Sequence, residues 1–492
     1  MTEAPVRDFD IKLQYRKYIK LILFIPCLFV LFESMDNDIW FLLNHGRYVL
    51  ENGFPHIEPF TIHQGFHFVM QQWLSAIVFW LSYSKFSAFG VQLLVMVSYM
   101  LIVYIIYKLC MFVSENYFIL SFTVSMAVSI ILTFFMVSRP YIFSTPILIL
   151  ELFILEKYMI NNDKKLLLLL PLLSVLLINL HAAMWPMLFI IIFPYVVDTF
   201  RFKIGPFEGN ATGKKYLYPA IIVMVLAGTV NPYGWEAMVY FFKSYGYGVI
   251  NSNVSEMTPS TVKTINGILT LAAIIILTII FSKNYQKTKS VRYILLSAGT
   301  AYMALSSSKS LLYFAVCGFF PIAFYLKDFG IKIKHSNVTN KTLLLRKILI
   351  TLIVLLLPIS FYTTYNSNNI YRNEYKLLNN TINFIVSHND LSKVKLYTDY
   401  NTGGMAEFRG LSVFMDPRAE IFVKGNNNKS DVLSEYFGLQ SGTLYYKDFL
   451  DKYKFTHLLL TKSDILYIYL QHDSDYKSVY SNDKYILYET VK

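Results

Sequence analysis

LILFIPCLFVLFESMDNDIWF, residues 21–41, passes from unbroken apolar sequence into three carboxylates within six positions. The first part has the character of a membrane span. The second carries Glu33, Asp36 and Asp38 in the spacing E-x-x-D-x-D, followed by Trp40. The apolar run from about Tyr18 to Phe32 has no small-residue cleavage site behind it and reads as a retained first span. Acids at such an exit are either a polar stop to the helix or working groups held at a membrane surface.

The same apolarity recurs along the chain. Its 492 residues are 55% hydrophobic and 15% charged, against roughly 45–50% and about 25% in soluble domains; mean hydropathy is +0.44. Apolar segments lie at about 18–34, 68–84, 86–107, 117–137, 140–157, 165–180, 183–199, 216–231, 264–282, 291–307, 309–327 and 345–363. Crossing about 30 Å of hydrocarbon takes roughly 17 or more such residues, so the chain reads as a polytopic membrane protein. Cys27, Cys110 and Cys317 all fall inside apolar runs and read as packing residues. The net charge of +12 does not point to nucleic acid. From Thr364 onward 15 basic residues balance 15 acidic ones, so the excess lies among the membrane segments, where it reports orientation.

Basic residues gather at the N-terminus (Arg7, Lys12, Arg16, Lys17, Lys20) and in the connections 157–165, 200–216, 282–292 and 327–347. The positive-inside rule makes these cytoplasmic and the base-poor loops 35–67 and 232–263 external. A cytoplasmic N-terminus and an external tail are compatible only if one of the twelve segments does not cross. Segment 68–84, short and containing Gln71-Gln72-Trp73, is taken as a surface-lying or partial helix, which leaves eleven spans. Arg139, His181, the NPYGW turn at 231–235 and Lys309 then emerge on the same outer side as Asp36 and Asp38.

Asp36 and Asp38 could coordinate a divalent cation, act as a general base or order a neighbouring Arg or Lys. The plainer account is a polar stop, with Trp40 an interface anchor and Arg47 a headgroup contact. Arg139 and Lys309 also read as snorkelling helix-end cations, and His181 as an interhelical histidine. From about Asn366 the composition turns mixed polar. Helical patterns near 374–388, 430–438 and 443–453 alternate with strand-like runs at 394–398, 411–415, 456–461 and two near the end, which predicts a small α/β domain. Gly403-Gly404 marks a turn or close backbone approach. Asp416-Pro417-Arg418 reads as an internal ion pair or an acceptor-binding element. Phosphate-loop, dinucleotide, zinc and catalytic-serine patterns are absent from the sequence.

Taken in order, Asp36-Asn37-Asp38-Ile39-Trp40, Gly46-Arg47-Tyr48, Pro55, Glu58-Pro59-Phe60-Thr61 and Trp73-Leu74 resemble the first outer loop of the GT-C glycosyltransferases, integral membrane enzymes that use polyprenyl-phosphate sugars. Arg139-Pro140 with Phe143-Ser144, Asn179-x-His181, Asn231-Pro232-Tyr233-Gly234-Trp235, Asp399-Tyr400, Gly403-Gly404 and Phe414-Met415-Asp416-x-Arg418 continue the likeness. The chain departs from the pattern at Gln72, where an acid usually precedes Trp-Leu. It departs again at Phe41, where a His often follows the aromatic pair, and at Glu58, which stands where that element usually has Asp.

The resemblance implies an all-α polytopic GT-C-like domain over 1–363, with its first outer loop at 35–67, and a small extracytoplasmic α/β domain over 364–492. It implies inverting transfer of a sugar from a polyprenyl-phosphate donor to a glycan or lipid acceptor of the cell envelope at the outer membrane face. An acid of the first loop would be the base: Asp36 is favoured, with Asp38 as its partner or as a metal ligand, and little separates the two. A divalent cation on Asp36 and Asp38 is the one cofactor in view. Arg139, Lys309 and Arg47 would meet the leaving phosphate, where negative charge develops. His181 would hydrogen-bond the phosphate or a sugar hydroxyl. Glu33 and Glu58 complete the substrate-binding candidates, and Glu256 is a further candidate for acceptor contact. The competing readings are a polysaccharide polymerase, a transporter or flippase for a lipid-linked glycan, and a non-catalytic scaffold. A transporter would want ionisable groups at mid-membrane and repeated halves. The apolar runs hold few such groups, and no inverted repeat is evident.

Overall fold

The structure, a computed structural model, describes residues 13–205, 207–209, 213–244, 247–283, 289–327, 358, 362 and 372–491. The expected span 345–363 lies, but for two residues, outside these, as do Arg7 and Lys12.

The first apolar run is not one regular helix. Leu13–Ile19 and Ile25–Phe29 are α-helical, while Lys20–Phe24 and Val30–Phe32 are 3-10 turns. Pro26 has no N–H to offer the turn before it, and the Ile22 carbonyl accepts instead from Ile25. The run stops at Glu33, where the backbone turns extended.

Loop 35–67 is more ordered than its name suggests. It holds helix α1, Ile39–Asn52, buried continuously from Ile39 to Gly46. Helix α2, Trp73–Val113, follows and is broken at Ser87, which has φ 52° and ψ −148°. The expected segments 68–84 and 86–107 are therefore one element with a break, and it runs on to Val113. At 1.5 Å per residue the piece before Ser87 is about 21 Å long, short of the hydrocarbon thickness. The piece after it is long enough. Gly46 lets α1 lie directly on α2, because a Cβ there would overlap the Ala76 carbonyl.

Helices α3 (Phe118–Leu132), α4 (Tyr141–Asn161), α5 (Leu169–Leu180), α6 (Pro186–Asp198), α7 (Leu217–Ala227), α8 (Trp235–Ser244), α9 (Ile265–Lys283) and α10 (Val291–Ser306) continue the bundle. Among the described residues, three stretches are long and apolar enough to cross a bilayer: Trp73–Val113, Ile265–Ser282 and Ser308–Tyr325. Phe118–Leu132, Ala182–Asp198 and Leu217–Ala227 are apolar but shorter. The described helices thus do not by themselves establish eleven spans. A small sheet of β1 (Phe202–Ile204), β2 (Phe207–Gly209) and β3 (Lys289–Ser290) joins two of the base-rich connections. The three cysteines are buried and unpaired.

The tail opens with a helix over 372–388. A five-stranded mixed sheet follows, built from β4 (Lys395–Tyr397), β5 (Ser412–Val413), β6 (His457–Thr461), β7 (Tyr476–Ser481) and β8 (Tyr485–Thr490) in the order β5-β4-β6-β8-β7. The short helix α11 (Gly403–Phe408) precedes β5, and α12 (Val432–Gln440) and α13 (Tyr446–Tyr453) precede β6. The expected strands and helices of the tail fall within a few residues of these elements; α11 was not foreseen. The edge at β5 is stitched to the first loop: the Ile62 amide donates to the Val413 carbonyl at 2.9 Å, and the His67 amide donates to the Asn427 carbonyl at 3.1 Å. Gly403 sits under the Met415 carbonyl, which a Cβ would overlap, so Gly403 marks a close approach of two backbones.

Candidate active site

The stretch between Glu33 and α1 folds as a tight turn. The Asp36 amide donates to Ser138 Oγ at 3.1 Å, and the Asp38 amide donates to Asp36 Oδ1 at 3.0 Å. An aspartate that takes the amide two residues on is a standard turn former, and it brings the two carboxylates to one point. Arg139, just before α4, stands at that point. Its Nε lies 2.9 Å from Asp36 Oδ1 and 3.2 Å from Asp38 Oδ2. Its Nη1 donates to both Glu256 oxygens, at 2.7 and 2.8 Å. Lys309 Nζ is 3.8 Å from Glu256 Oε2. Three carboxylates and two cations from four separate parts of the chain form one cluster.

The cluster faces a cavity of about 140 Å³. Asp38, Arg139, His181, Glu256, Lys309 and Gln72 line it from the membrane part, and Tyr400, Arg418 and Glu420 line it from the tail. Burial pushes the Asp38 carboxyl up to about 7; Asp36 and Glu256 add to the rise, and Arg139 and Lys309 oppose it. Burial, helped by Lys309, holds His181 down at about 3, so its ring is neutral and lies 3.3 Å from Ser144 Oγ through Nδ1. The buried side-chain oxygen of Gln72, Oε1, has no hydrogen-bond partner among the described residues.

A second face of α8 borders an apolar groove of about 630 Å³ lined by Trp185, Phe189, Phe193, Trp235, Met238, Val239 and Phe242, among others. Tyr240 of the same helix lines the charged cavity. One short helix therefore separates a charged chamber from an open hydrocarbon-like trough.

Compared by sequence, the chain matches no family model and no curated protein. Compared by structure, it is similar to the oligosaccharyltransferase of Archaeoglobus fulgidus tethered to an acceptor peptide, with a TM-score of 0.56 at 11% identity over 98% of this chain and 74% of that one. It is equally similar to ArnT from Cupriavidus metallidurans in the apo state, with a TM-score of 0.56 at 11% identity over 96% of this chain and 97% of that one. ArnT bound to undecaprenyl phosphate gives 0.55 at 9% identity over 96% and 98%. This chain has the GT-C fold. The match to ArnT runs nearly end to end in both chains, so the GT-C fold takes in the tail as well as the bundle.

Within the GT-C fold the candidates divide. Asp38, Arg139, His181 and Lys309 line the cavity, and Asp36 stands directly behind Asp38. Glu33, Arg47 and Glu58 are elsewhere. The Glu33 carbonyl accepts from Gln92 Nε2 at 2.9 Å, behind the cavity wall. Arg47 donates to Asn44 Oδ1 at 2.7 Å and to the Phe408 carbonyl at 3.1 Å, and it lies over the Trp80 and Phe408 rings. Glu58 is buried against Arg418, with Nη2 at 2.9 Å from Oε1, while its other oxygen accepts the Phe60 and Thr61 amides. These three join the first loop to its surroundings.

Arg418 anchors a second cluster. Its Nε donates to Asp416 Oδ1 at 2.9 Å, its Nη2 reaches Asp416 Oδ2 and lies 3.3 Å from Glu407 Oε2, and its Nη1 donates to His45 Nε2 at 3.0 Å. Asn44 of α1 donates to Glu407 at 2.8 Å. Burial raises the Glu407 carboxyl, with Asp416 and Glu58 adding and Arg418 opposing. Burial and the neighbouring Arg418 keep His45 neutral. The internal ion pair read from Asp416-Pro417-Arg418 exists, and Arg418 also reaches the cavity wall.

The remaining motifs of the resemblance are props. Asn231 accepts the Tyr233 amide at 2.8 Å, and the Tyr233 hydroxyl donates to the Pro55 carbonyl at 3.1 Å. Trp73 Nε1 donates to Asn179 Oδ1 at 3.0 Å. Among the described residues no group of three or more His, Cys, Asp or Glu side chains is arranged to hold a metal. Arg139 Nε stands within hydrogen-bond reach of both Asp36 and Asp38, where a cation shared by them would stand. Tyr400, Glu420 and Gln72 were not foreseen as cavity residues; Tyr400 and Gln72 fall within the stretches that carry the family likeness, and Glu420 lies two residues beyond one.

Proposed function

We propose that this chain is an integral membrane glycosyltransferase that moves a sugar from a polyprenyl-phosphate donor to a cell-envelope acceptor at the outer membrane face. The carrying observation is the pairing of a charged cavity with an apolar groove across α8. A donor with an anionic head and a long apolar tail fits both at once. ArnT, which shares the fold, has been observed bound to undecaprenyl phosphate, and this supports a lipid phosphate as the head.

Asp38 is the better base. It lines the cavity, and a carboxylate pushed up to about 7 is matched to proton removal near neutral pH. Asp36 is already engaged with the Asp38 amide and Arg139, so its role is to fix both. In the inverting step Asp38 takes the acceptor hydroxyl proton, the oxygen forms its bond to the anomeric carbon, and the opposite carbon–oxygen bond breaks. The phosphate leaves with that electron pair and is met by Arg139 and Lys309. Neutral His181 and the unpaired Gln72 side-chain oxygen hold sugar hydroxyls. Tyr400 and Glu420 make the acceptor side of the chamber.

The eleven-span topology, with N-terminus inside and residues 364–492 outside, belongs to this reading. The break at Ser87 supports it, because the piece 73–86 is too short to cross. So does the sheet that residues 372–491 form from their own strands.

The test is a mass-spectrometric profile of surface glycans and lipid-linked sugars in cells carrying wild type, Asp38→Asn or Arg139→Met, each inserted at normal levels. The expected result is loss of one sugar from a surface glycan while its polyprenyl-phosphate donor persists. Profiles matching wild type in both variants, with a change only on full deletion, would replace this reading by the transporter or scaffold.

A further inference from the structure

Glu256 reaches the Arg139 cluster from the connection between α8 and α9, far from the first loop. Arg139 Nη1 donates to both of its oxygens, and Lys309 lies beside it. Both contacts come from the one nitrogen, so Glu256 takes both N–H groups of Nη1, donors that arginine also offers to phosphate oxygens. These are the same two cations assigned above to the leaving phosphate. A phosphate oxygen and Glu256 cannot both take Nη1.

We infer that Glu256 holds the phosphate subsite as a carboxylate stand-in, and that an arriving phosphate group displaces it. This rests on the reading of the cavity as a phosphate site.

The backbone around Glu256 shows how it leaves. Its carbonyl accepts from Ser307 Oγ at 3.0 Å and Ser308 Oγ at 3.3 Å. The Ser308 amide donates to the Thr258 carbonyl at 3.1 Å, and the Ser260 amide donates to the Leu305 carbonyl at 3.0 Å. The connection is pinned at residue 256 itself and again at residues 258 and 260, so the carboxylate exits by side-chain rotation while the backbone stays. It is also the most exposed acid of the cluster, at 41% against 20% for Asp36 and 24% for Asp38. Rotation outward delivers it to water at small cost. Asp36 has no such freedom, being tied through both its amide and its carboxylate.

Three consequences follow. Lys309 has an anionic partner both before and after the exchange, and Arg139 keeps Asp36 and Asp38 throughout, so no step leaves either cation bare in a partly buried chamber. A neutral ligand cannot evict Glu256, so the device selects for an anionic head. It also lowers apparent affinity in proportion to the fraction of molecules in which the carboxylate has swung out.

The experiment measures binding of undecaprenyl phosphate and, separately, inorganic phosphate to the full-length protein in nanodiscs, for wild type, Glu256→Gln, Glu256→Ala and Arg139→Met. Thermal unfolding checks that each variant is folded. Both Glu256 variants should bind tighter than wild type, by about 5-fold as expected for removing one partly exposed ion-pair competitor, and Arg139→Met should bind weaker. Tightening for the lipid alone identifies a lipid headgroup, and tightening for both probes identifies phosphate itself. If Arg139→Met weakens binding while the Glu256 variants bind no tighter, the stand-in is overturned and the phosphate site survives. If wild type and Arg139→Met bind equally poorly, both fall.

Discussion

Two arginines in this molecule each gather three carboxylates, and they do opposite things. Arg139 is 18% exposed and its acids 20–41%. Arg418 is 4% exposed and its acids at most 1%. Around Arg139 each carboxylate keeps access to water as an alternative partner. Around Arg418 no such alternative exists. Removing one partner strands the others without solvent, and the cluster behaves as a lock between first loop and tail. The same side-chain chemistry faces an open cavity in one place and forms a sealed fastening in the other, and burial separates the two.

The contrast is sharpest at the chemistry. Asp38→Asn keeps shape and removes the base, so transfer should fall by roughly 10²–10⁴-fold with normal insertion and unfolding temperature. Its pH dependence carries a sign. Asp38 acts deprotonated and is raised from an ordinary 3.8 to about 7, so wild-type transfer should rise with pH through about 7. The same raised value means its contribution to stability is present at low pH and lost as pH climbs from about 3.8 to about 7. A rate profile flat across pH 6–8 would move the base to Asp36.

At the lock, Arg418→Met should destabilise the protein by about 3–5 kcal/mol, read as a lowered unfolding midpoint and faster proteolysis at the junction of first loop and tail. Arg139→Met, probed the same way, should shift it far less. Equal shifts would mean that burial does not distinguish the two clusters. A smaller effect than that of Arg418→Met is expected at the close approach beneath the lock. Gly403→Ala puts a Cβ against the Met415 carbonyl and should cost about 1–3 kcal/mol. An unchanged unfolding midpoint would show that the backbone there yields.

Much of the frame was legible in the sequence. Apolar runs and the neutral tail fixed a membrane bundle followed by an α/β unit, because hydrophobic periodicity and composition are local properties. The tail strands could be read for the same reason. The break in α2 was legible only as a weak segment, since Ser87 carries no glycine or proline signal. Within the site, Asp36 and Asp38 were legible as paired acids at the end of the first apolar run, and the turn that brings their carboxylates together came from the fold.

The sequence by itself determined the class of protein, the inventory of charges and the order of motifs. It could not assign those charges. Glu58 and Glu256 are both glutamates of base-poor loops, yet one meets Arg418 360 positions away and the other meets Arg139 117 positions away. Arg47 and Glu58 came to tie the first loop to the tail, while Asp38, Arg139, His181 and Lys309 came to share a cavity. Only the tertiary structure decided this, because what a charged group does depends on its partner and on its access to water, and both are set by contacts between residues remote in the chain.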